Sequence, residues 1–252
     1  MADCLAHRGP DGEGVWTDEA NGVALAHRRL AIIDLSPTGA QPMRDTSGRY
    51  TIVYNGEIYN YRELRRELES RGVIFRGASD TEVLLELFAR EGERCLTKLN
   101  GIFAFAIWDA VSRELFLARD ALGVKPLYYS EQPSSFLFAS ELKALVPWLS
   151  RRTLDVSSLL RYVTFLWCPG DGTPLREVRK LGPGESMVVR EGRVVRRWTW
   201  YELPARRGVT PESWSKDEAV VQVQQALRRA VQRQLVADVP VGALLSGGID
   251  SS

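Results

Sequence analysis

The chain has 252 residues, 44% of them apolar and 26% charged, enough to bury a core in one large unit or two smaller ones. A formal net charge of +1 gives no general pull toward nucleic acid or membrane surfaces, and no apolar run approaches the ~20 residues that span a bilayer. Cys4, Cys95 and Cys168 form no Cys-x-x-Cys pair and the first residues are no signal peptide, which argues against a disulfide scaffold, a zinc site or secretion and for the cytoplasm.

In chain order, residues 1–6 read as the end of a helix that lacks its beginning, running into His7-Arg-Gly-Pro-Asp-Gly. Short apolar or alternating runs predict strands over 23–26, 30–35 and 51–58, separated by Pro- and Gly-containing turns. Asn60 with Glu63, and Ser79 with Glu82, have capping-box spacing ahead of Leu64/Leu68 and Val83/Leu84/Leu87/Phe88, which marks two amphipathic helices. Cys95 follows in an apolar helical pattern and is expected in the core. Four strands over 102–108, 115–118, 127–129 and 136–139 predict an antiparallel meander, and residues 187–190 and 193–196 mirror each other about a Glu191-Gly192 turn. The sequence turns polar over 204–214, a linker. Ser215 and Glu218 then cap a helix with Val220, Val223, Leu227, Val231 and Leu235 on one face, Asp238-Val-Pro240 breaks it, and residues 241–245 predict a buried strand before Ser246-Gly-Gly-Ile-Asp-Ser-Ser252. The whole is α+β with stacked layers, followed by the opening of a nucleotide-binding α/β unit. The arginines between 176 and 207 read as a solvated face rather than a nucleic-acid surface.

Two stretches carry chemistry. The strand at 51–54 runs straight into Asn55-Gly56-Glu57, so an amide, a bare backbone N–H and a carboxylate collect at one strand end, a grouping suited to a small polar molecule, although Asn-Gly is also a common hairpin turn. In Ser246-Gly-Gly-Ile-Asp-Ser-Ser, consecutive glycines let backbone N–H groups form a nest for phosphate oxygens while Asp250 could hold a magnesium ion, and the absence of a Gly-Lys-Ser/Thr rules out a Walker loop.

The ordered series His7-Arg-Gly-Pro-Asp-Gly, His27-Arg-Arg-Leu, Gln41-Pro, Tyr54-Asn-Gly-Glu-Ile-Tyr-Asn, Ser79-Asp-Thr-Glu, Phe103-Ala-Phe-Ala-Ile-Trp-Asp, Arg119-Asp-Ala-Leu-Gly-Val-Lys-Pro-Leu-Tyr-Tyr and Ser246-Gly-Gly-Ile-Asp-Ser-Ser resembles the glutamine-hydrolysing asparagine synthetases. That resemblance implies a class II glutaminase domain over 1–203, a four-layer αββα sandwich of the N-terminal-nucleophile type without its first strand, a linker at 204–214, and the start of an ATP-pyrophosphatase domain over 215–252. It implies glutamine as amide donor, ATP with Mg2+ as cofactors and aspartate as acceptor; charge and hydropathy point to no nucleic-acid or membrane partner, and a homodimer stays open. Site by site it implies that Arg29 clamps the α-carboxylate of glutamine, that Glu57 and Asp80 face its α-ammonium group, and that Asn55 and the Gly56 N–H form an oxyanion hole. Leu244, Ser246, Gly247, Gly248, Asp250, Ser251 and Ser252 would hold ATP, with Asp250 on the metal.

The sequence departs from the family in one respect that bears on catalysis. The family nucleophile is a cysteine next to the initiator methionine, and no residue here matches it, since Cys4 lies only three residues before His7. A fragment that binds glutamine but does not hydrolyse it is therefore expected. Two alternatives stay open: a related amide ligase with a different acceptor, and a non-catalytic glutamine-binding module.

Overall fold

The structure is a computed structural model that describes residues 1–204 and 214–248. After a 3-10 turn at Ala2–Arg8, the chain forms β1 (Gly12–Asp18), β2 (Val23–Arg29), β3 (Met43–Arg44) and β4 (Tyr50–Ile58). Helices α1 (Tyr61–Ser70) and α2 (Asp80–Glu91) follow, then β5 (Gly101–Asp109), β6 (Glu114–Arg119), β7 (Tyr128–Glu131) and β8 (Phe136–Ala139). The remaining elements are α3 (Leu142–Leu145), α4 (Val156–Phe165), β9 (Arg179–Lys180), β10 (Glu185–Arg190), β11 (Arg193–Thr199) and α5 (Lys216–Gln234).

One antiparallel sheet dominates, with strand order β11-β10-β6-β5-β4-β3. Its strands β4, β5, β6 and β10 are largely buried on both faces, and the period-two alternation sorts their side chains between two cores. Ile52, Tyr54, Ile58, Phe103, Phe105 and Phe116 pack under α1 and α2 with Leu64, Leu68, Val83, Leu84 and Leu87. Val53, Ala104, Ala106, Leu115, Leu117 and Met187 point the other way, onto Leu25 of β2 and Tyr129 of β7. The second β layer consists of the β1-β2 pair and the β8-β7-β9 sheet. Alternation works there too: Phe136 and Phe138 join the inner core, whereas Leu137 and Ala139 face outward onto Ala144 and Leu145 of α3. The order of layers is thus helix, sheet, sheet, helix, the expected αββα sandwich.

Several expectations need correction. Residues 30–35 are a loop rather than a strand, because Asp34 takes a left-handed φ of 55° and turns its polar groups onto its neighbours. The meander is split: β5 and β6 pair in the large sheet, but β7 and β8 pair in the small one. Strands β1, β3 and β9 and helices α3 and α4 were not legible as elements. The Ser79 cap forms, its Oγ accepting from the Glu82 N–H at 3.2 Å, and Ser215 with Glu218 makes a full capping box. Asn60 does not cap α1; its side chain instead bridges to the Lys98 carbonyl at 2.9 Å and the Asn100 N–H at 3.0 Å. Residues 241–245 run without strand pairing, since no neighbouring strand meets them among the described residues. The apolar stripe of α5 is exposed rather than buried.

Candidate functional site

The site begins with the edge of β4. In an antiparallel ladder, alternate residues turn their backbone groups to opposite neighbours. Tyr59 donates to the Asn100 carbonyl at 2.8 Å and Ala110 to the Arg49 carbonyl at 3.0 Å, so the odd-numbered residues of β4 bond to β5. The even-numbered residues face outward. Ile52 meets β3. Tyr54 donates its N–H to Gln41 Oε1 at 2.7 Å and accepts from His27 Nε2 at 3.0 Å. Ile58 donates to Asp80 Oδ2 at 3.0 Å. Between them, Gly56 turns the same way, and its N–H has no partner among the described residues. Beside it, the Asn55 side chain and the Glu57 carboxylate likewise have no hydrogen-bond partner among the described residues.

Glycine is required at this point. A Cβ on Gly56 would lie 2.2 Å from the Ile102 carbonyl oxygen and 2.7 Å from Phe103 Cα, so a side chain would push the two central strands apart. Glycine permits the tight strand approach, while the register of β4 leaves the N–H facing outward.

Arg29, Asn55, Gly56, Glu57 and Asp80 all line a single cleft of about 960 Å³, whose floor includes Val53, Ala104 and Ala106. The strand register and the loop after β2 bring together residues that are 51 positions apart at the extremes. Arg29 lies at the end of β2, and its guanidinium donates from Nη1 to the Ser36 carbonyl at 3.0 Å and from Nη2 to the carbonyls of Ile33, at 3.3 Å, and Asp34. These contacts seat the group at the cleft wall with N–H directions to spare, and no carboxylate pairs with it among the described residues. Asp80 is the first residue of α2 and is buried. Its Oδ2 accepts from the Tyr54 hydroxyl at 2.8 Å as well as from Ile58.

Electrostatics in the cleft follow from burial. Desolvation pushes Asp80 up to about 6, against the hydrogen bonds from Ile58 and Tyr54 that favour its charged form. Glu57 is raised as well, again by desolvation, with the charge of Lys125 working in the opposite direction. Desolvation holds His27 down at about 4, helped by the charge of Arg29 and opposed by the hydrogen bond to the Tyr54 carbonyl. The imidazole is therefore neutral, with Nε2 carrying the proton because a carbonyl can only accept, and its buried Nδ1 has no partner. Two carboxylates and one arginine thus line the same cleft as two amide-type donors, a set of charges and donors complementary to a small zwitterion.

Of the three cysteines, none lines the cleft. Cys4 is exposed on the first 3-10 turn, Cys95 is buried beneath α2 with its thiol pushed up by desolvation, and Cys168 is buried against the Ser158 carbonyl. His27, Gln41, Tyr54 and Lys125 serve the site without having been assigned roles from sequence. Only the alternation along β4 could have signalled Tyr54, since it shares an edge with Gly56. At the other end, Leu244 is exposed, Gly247 takes a left-handed φ of 71°, and Gly248 donates to Ser246 Oγ at 3.3 Å, while Asp250, Ser251 and Ser252 lie outside the described residues. Among the described residues no His, Cys, Asp and Glu cluster could hold a metal, and no helix is long and apolar enough to cross a membrane.

Comparison with known proteins agrees with this layout. A family model of the glutamine amidotransferase domain matches residues 1–201, and one of asparagine synthase matches residues 222–252. The chain is 41% identical to asparagine synthetase [glutamine-hydrolyzing] 3 of Bacillus subtilis (strain 168), over all of this chain and 40% of that protein. It is 36% identical to amidase chry2 of Gibberella zeae, over 99% of this chain and 37% of that protein. It thus spans about two fifths of the length of these relatives. In fold it is similar to the glutamine phosphoribosylpyrophosphate amidotransferase of B. subtilis, with a TM-score of 0.56 at 22% identity over 79% of this chain and 45% of that one. With a sandwich, a cleft and a family match that all fall within the same two hundred residues, the chain belongs to the glutamine amidotransferase domain family.

Proposed function

We propose that the cleft binds glutamine, as the amide-donor half of an ATP-dependent, glutamine-hydrolysing asparagine synthetase. Arg29 pairs with the α-carboxylate, a planar fork meeting a planar anion. Asp80 and Glu57 receive the α-ammonium group, Asp80 being ionised above about pH 6. The side-chain amide then reaches Asn55 Nδ2 and the Gly56 N–H. These two donors are aimed where negative charge develops when an amide carbon becomes tetrahedral, and a donor of this kind lowers such a barrier by about 3 kcal/mol. The open N–H of Gly56, alone among the outward-facing N–H groups of β4 in lacking a partner among the described residues, carries this reading.

In the whole protein, glutamine and water would give glutamate and ammonia, and the ammonia would displace AMP from an aspartyl adenylate to give asparagine. ATP would lie against Leu244 and residues 246–252, where the left-handed Gly247 opens the turn toward a phosphate nest, and Asp250 would hold the Mg2+ that neutralises the phosphates. A related acceptor in place of aspartate is favoured by one observation, the 36% identity to a protein named an amidase.

Because no cysteine lines the cleft, the polypeptide is expected to bind glutamine without turning it over. Calorimetry with glutamine should give saturable heat that Arg29→Ala weakens at least tenfold, with ammonia release at background and unaffected by Cys4→Ala. Equal heat for wild type and Arg29→Ala would remove the carboxylate clamp, and ammonia release lost on Cys4→Ala would identify a nucleophile that the cleft geometry omits.

A further inference from the structure

The loop at residues 32–38 joins three parts of the molecule through one residue, Asp34. Its carbonyl, with that of Ile33, receives Arg29 Nη2. Its carboxylate accepts from the Ala78 N–H at 2.9 Å, two residues before Asp80, and from Thr38 Oγ1 at 2.8 Å and the Ser36 N–H at 3.1 Å. Its own N–H donates to Asp238 Oδ2 at 2.7 Å, and the Asp238 N–H returns a bond to the Ile32 carbonyl at 2.9 Å. Asp238 comes from the segment after α5, eight residues before Ser246.

The hub is tightly built. Burial alone would raise Asp34, yet hydrogen bonds from Ser36, Ala78 and Thr38 hold it at about 2, so its carboxylate is charged throughout the physiological range. A Cβ on Gly77 would lie 2.5 Å from Thr38 Oγ1 and 2.8 Å from Asp34 Oδ2, and one on Gly39 would lie 2.1 Å from Arg29 Nη2. Asp34 itself sits at φ 55°, a left-handed conformation in which its surroundings hold it. The pair of bonds to Asp238 is the part of that hold supplied from outside the sandwich.

We propose that Asp238 is a positioning residue for the cleft: by gripping residues 32–34 it sets the carbonyls that seat Arg29 and the carboxylate that seats the start of α2 at Asp80. The segment leading into Ser246-Gly-Gly is thereby coupled to glutamine affinity. Arg29 and Asp80 recognise opposite ends of one zwitterion, so a shift of the hub moves both contacts together. The effect on ligand rests on the glutamine assignment above, whereas the mechanical coupling does not.

Asp238→Ala and Asp238→Asn separate the possibilities in the full polypeptide. Asparagine retains an oxygen that can accept from the Asp34 N–H; alanine does not. Hydrogen–deuterium exchange of Asp238→Ala should rise in segments 30–38 and 76–82 together, and Asp238→Asn should return both to near wild type. Glutamine affinity should fall at least about fivefold in Asp238→Ala, recover in Asp238→Asn, and fall by a smaller factor when Asp238→Ala is added to Arg29→Ala, because only the Asp80 contact is then left to lose. Exchange that rises only beyond residue 215, with both loop segments unchanged, overturns the proposal. If the loop segments respond but wild type gives no heat with glutamine, the coupling stands and the assignment of the ligand falls.

Discussion

Asp80 and His27 show how single residues take their charge state from their surroundings. Asp80 and His27 are drawn in opposite directions by the same cause, loss of water. The native pKa of Asp80 is raised from 3.8 to about 6, so its contribution favours folding at low pH and is lost as pH rises across that window. The native pKa of His27 is lowered from 6.5 to about 4, so its neutral form destabilises the fold progressively as pH falls across that window. Each effect amounts to about 3 kcal/mol, and between about pH 6 and 4 they offset. Urea denaturation over that range should therefore show a nearly flat stability for wild type. His27→Gln should become more stable as pH falls, and Asp80→Asn less stable. Parallel profiles for all three proteins would show that neither group is shifted. Neither opposition is visible in the sequence, where both residues are polar letters beside apolar ones.

At the scale of elements, local patterns succeeded where the chain's own neighbours decide the conformation. The Glu191-Gly192 turn joins β10 to β11 with Arg190 opposite Arg193, as its mirrored flanks required. Both turn residues are left-handed, with φ 50° at Glu191 and 74° at Gly192. Glycine bears this freely and glutamate does not, so Glu191→Asn should raise the urea midpoint by an amount equivalent to about 0.5–1 kcal/mol. An unchanged midpoint would mean that the β10–β11 bulge between Val188 and Val189 relieves the turn. Local patterns failed where a distant partner intervened. Residues 30–35 have strand composition, but Asp34 is claimed by Ala78 and Asp238, which no periodicity can report. Asn60 had the spacing of a helix cap and was taken instead by the backbone ahead of β5, at Lys98 and Asn100.

The whole molecule divides unevenly. The two inner cores lie within the sandwich, whereas α5 contributes no buried residue, and the segment after it packs Val236 against the core and clips Asp238 to the loop at Asp34. A chain ending at residue 203 should therefore keep its main unfolding transition, with a Tm lowered by no more than about 2–4 °C, the effect of about 1 kcal/mol in a domain of this size. A collapse of that transition would show that residues 215–248 belong to the same cooperative unit. By itself the sequence determined the layered α+β class, the Glu191-Gly192 hairpin and the helix caps at Ser79 and Ser215. Those features depend on side-chain periodicity and short-range backbone chemistry, which the order of residues specifies directly. Only the tertiary structure decided that Arg29, Asn55, Gly56, Glu57 and Asp80 share one cleft, that the Gly56 N–H has no partner among the described residues while those of Tyr54 and Ile58 go to Gln41 and Asp80, and that Asp238 reaches back to the loop behind Arg29. The reason is that hydrogen-bond ownership and desolvation belong to neighbours in space, and those neighbours are set by how sheets stack and loops close.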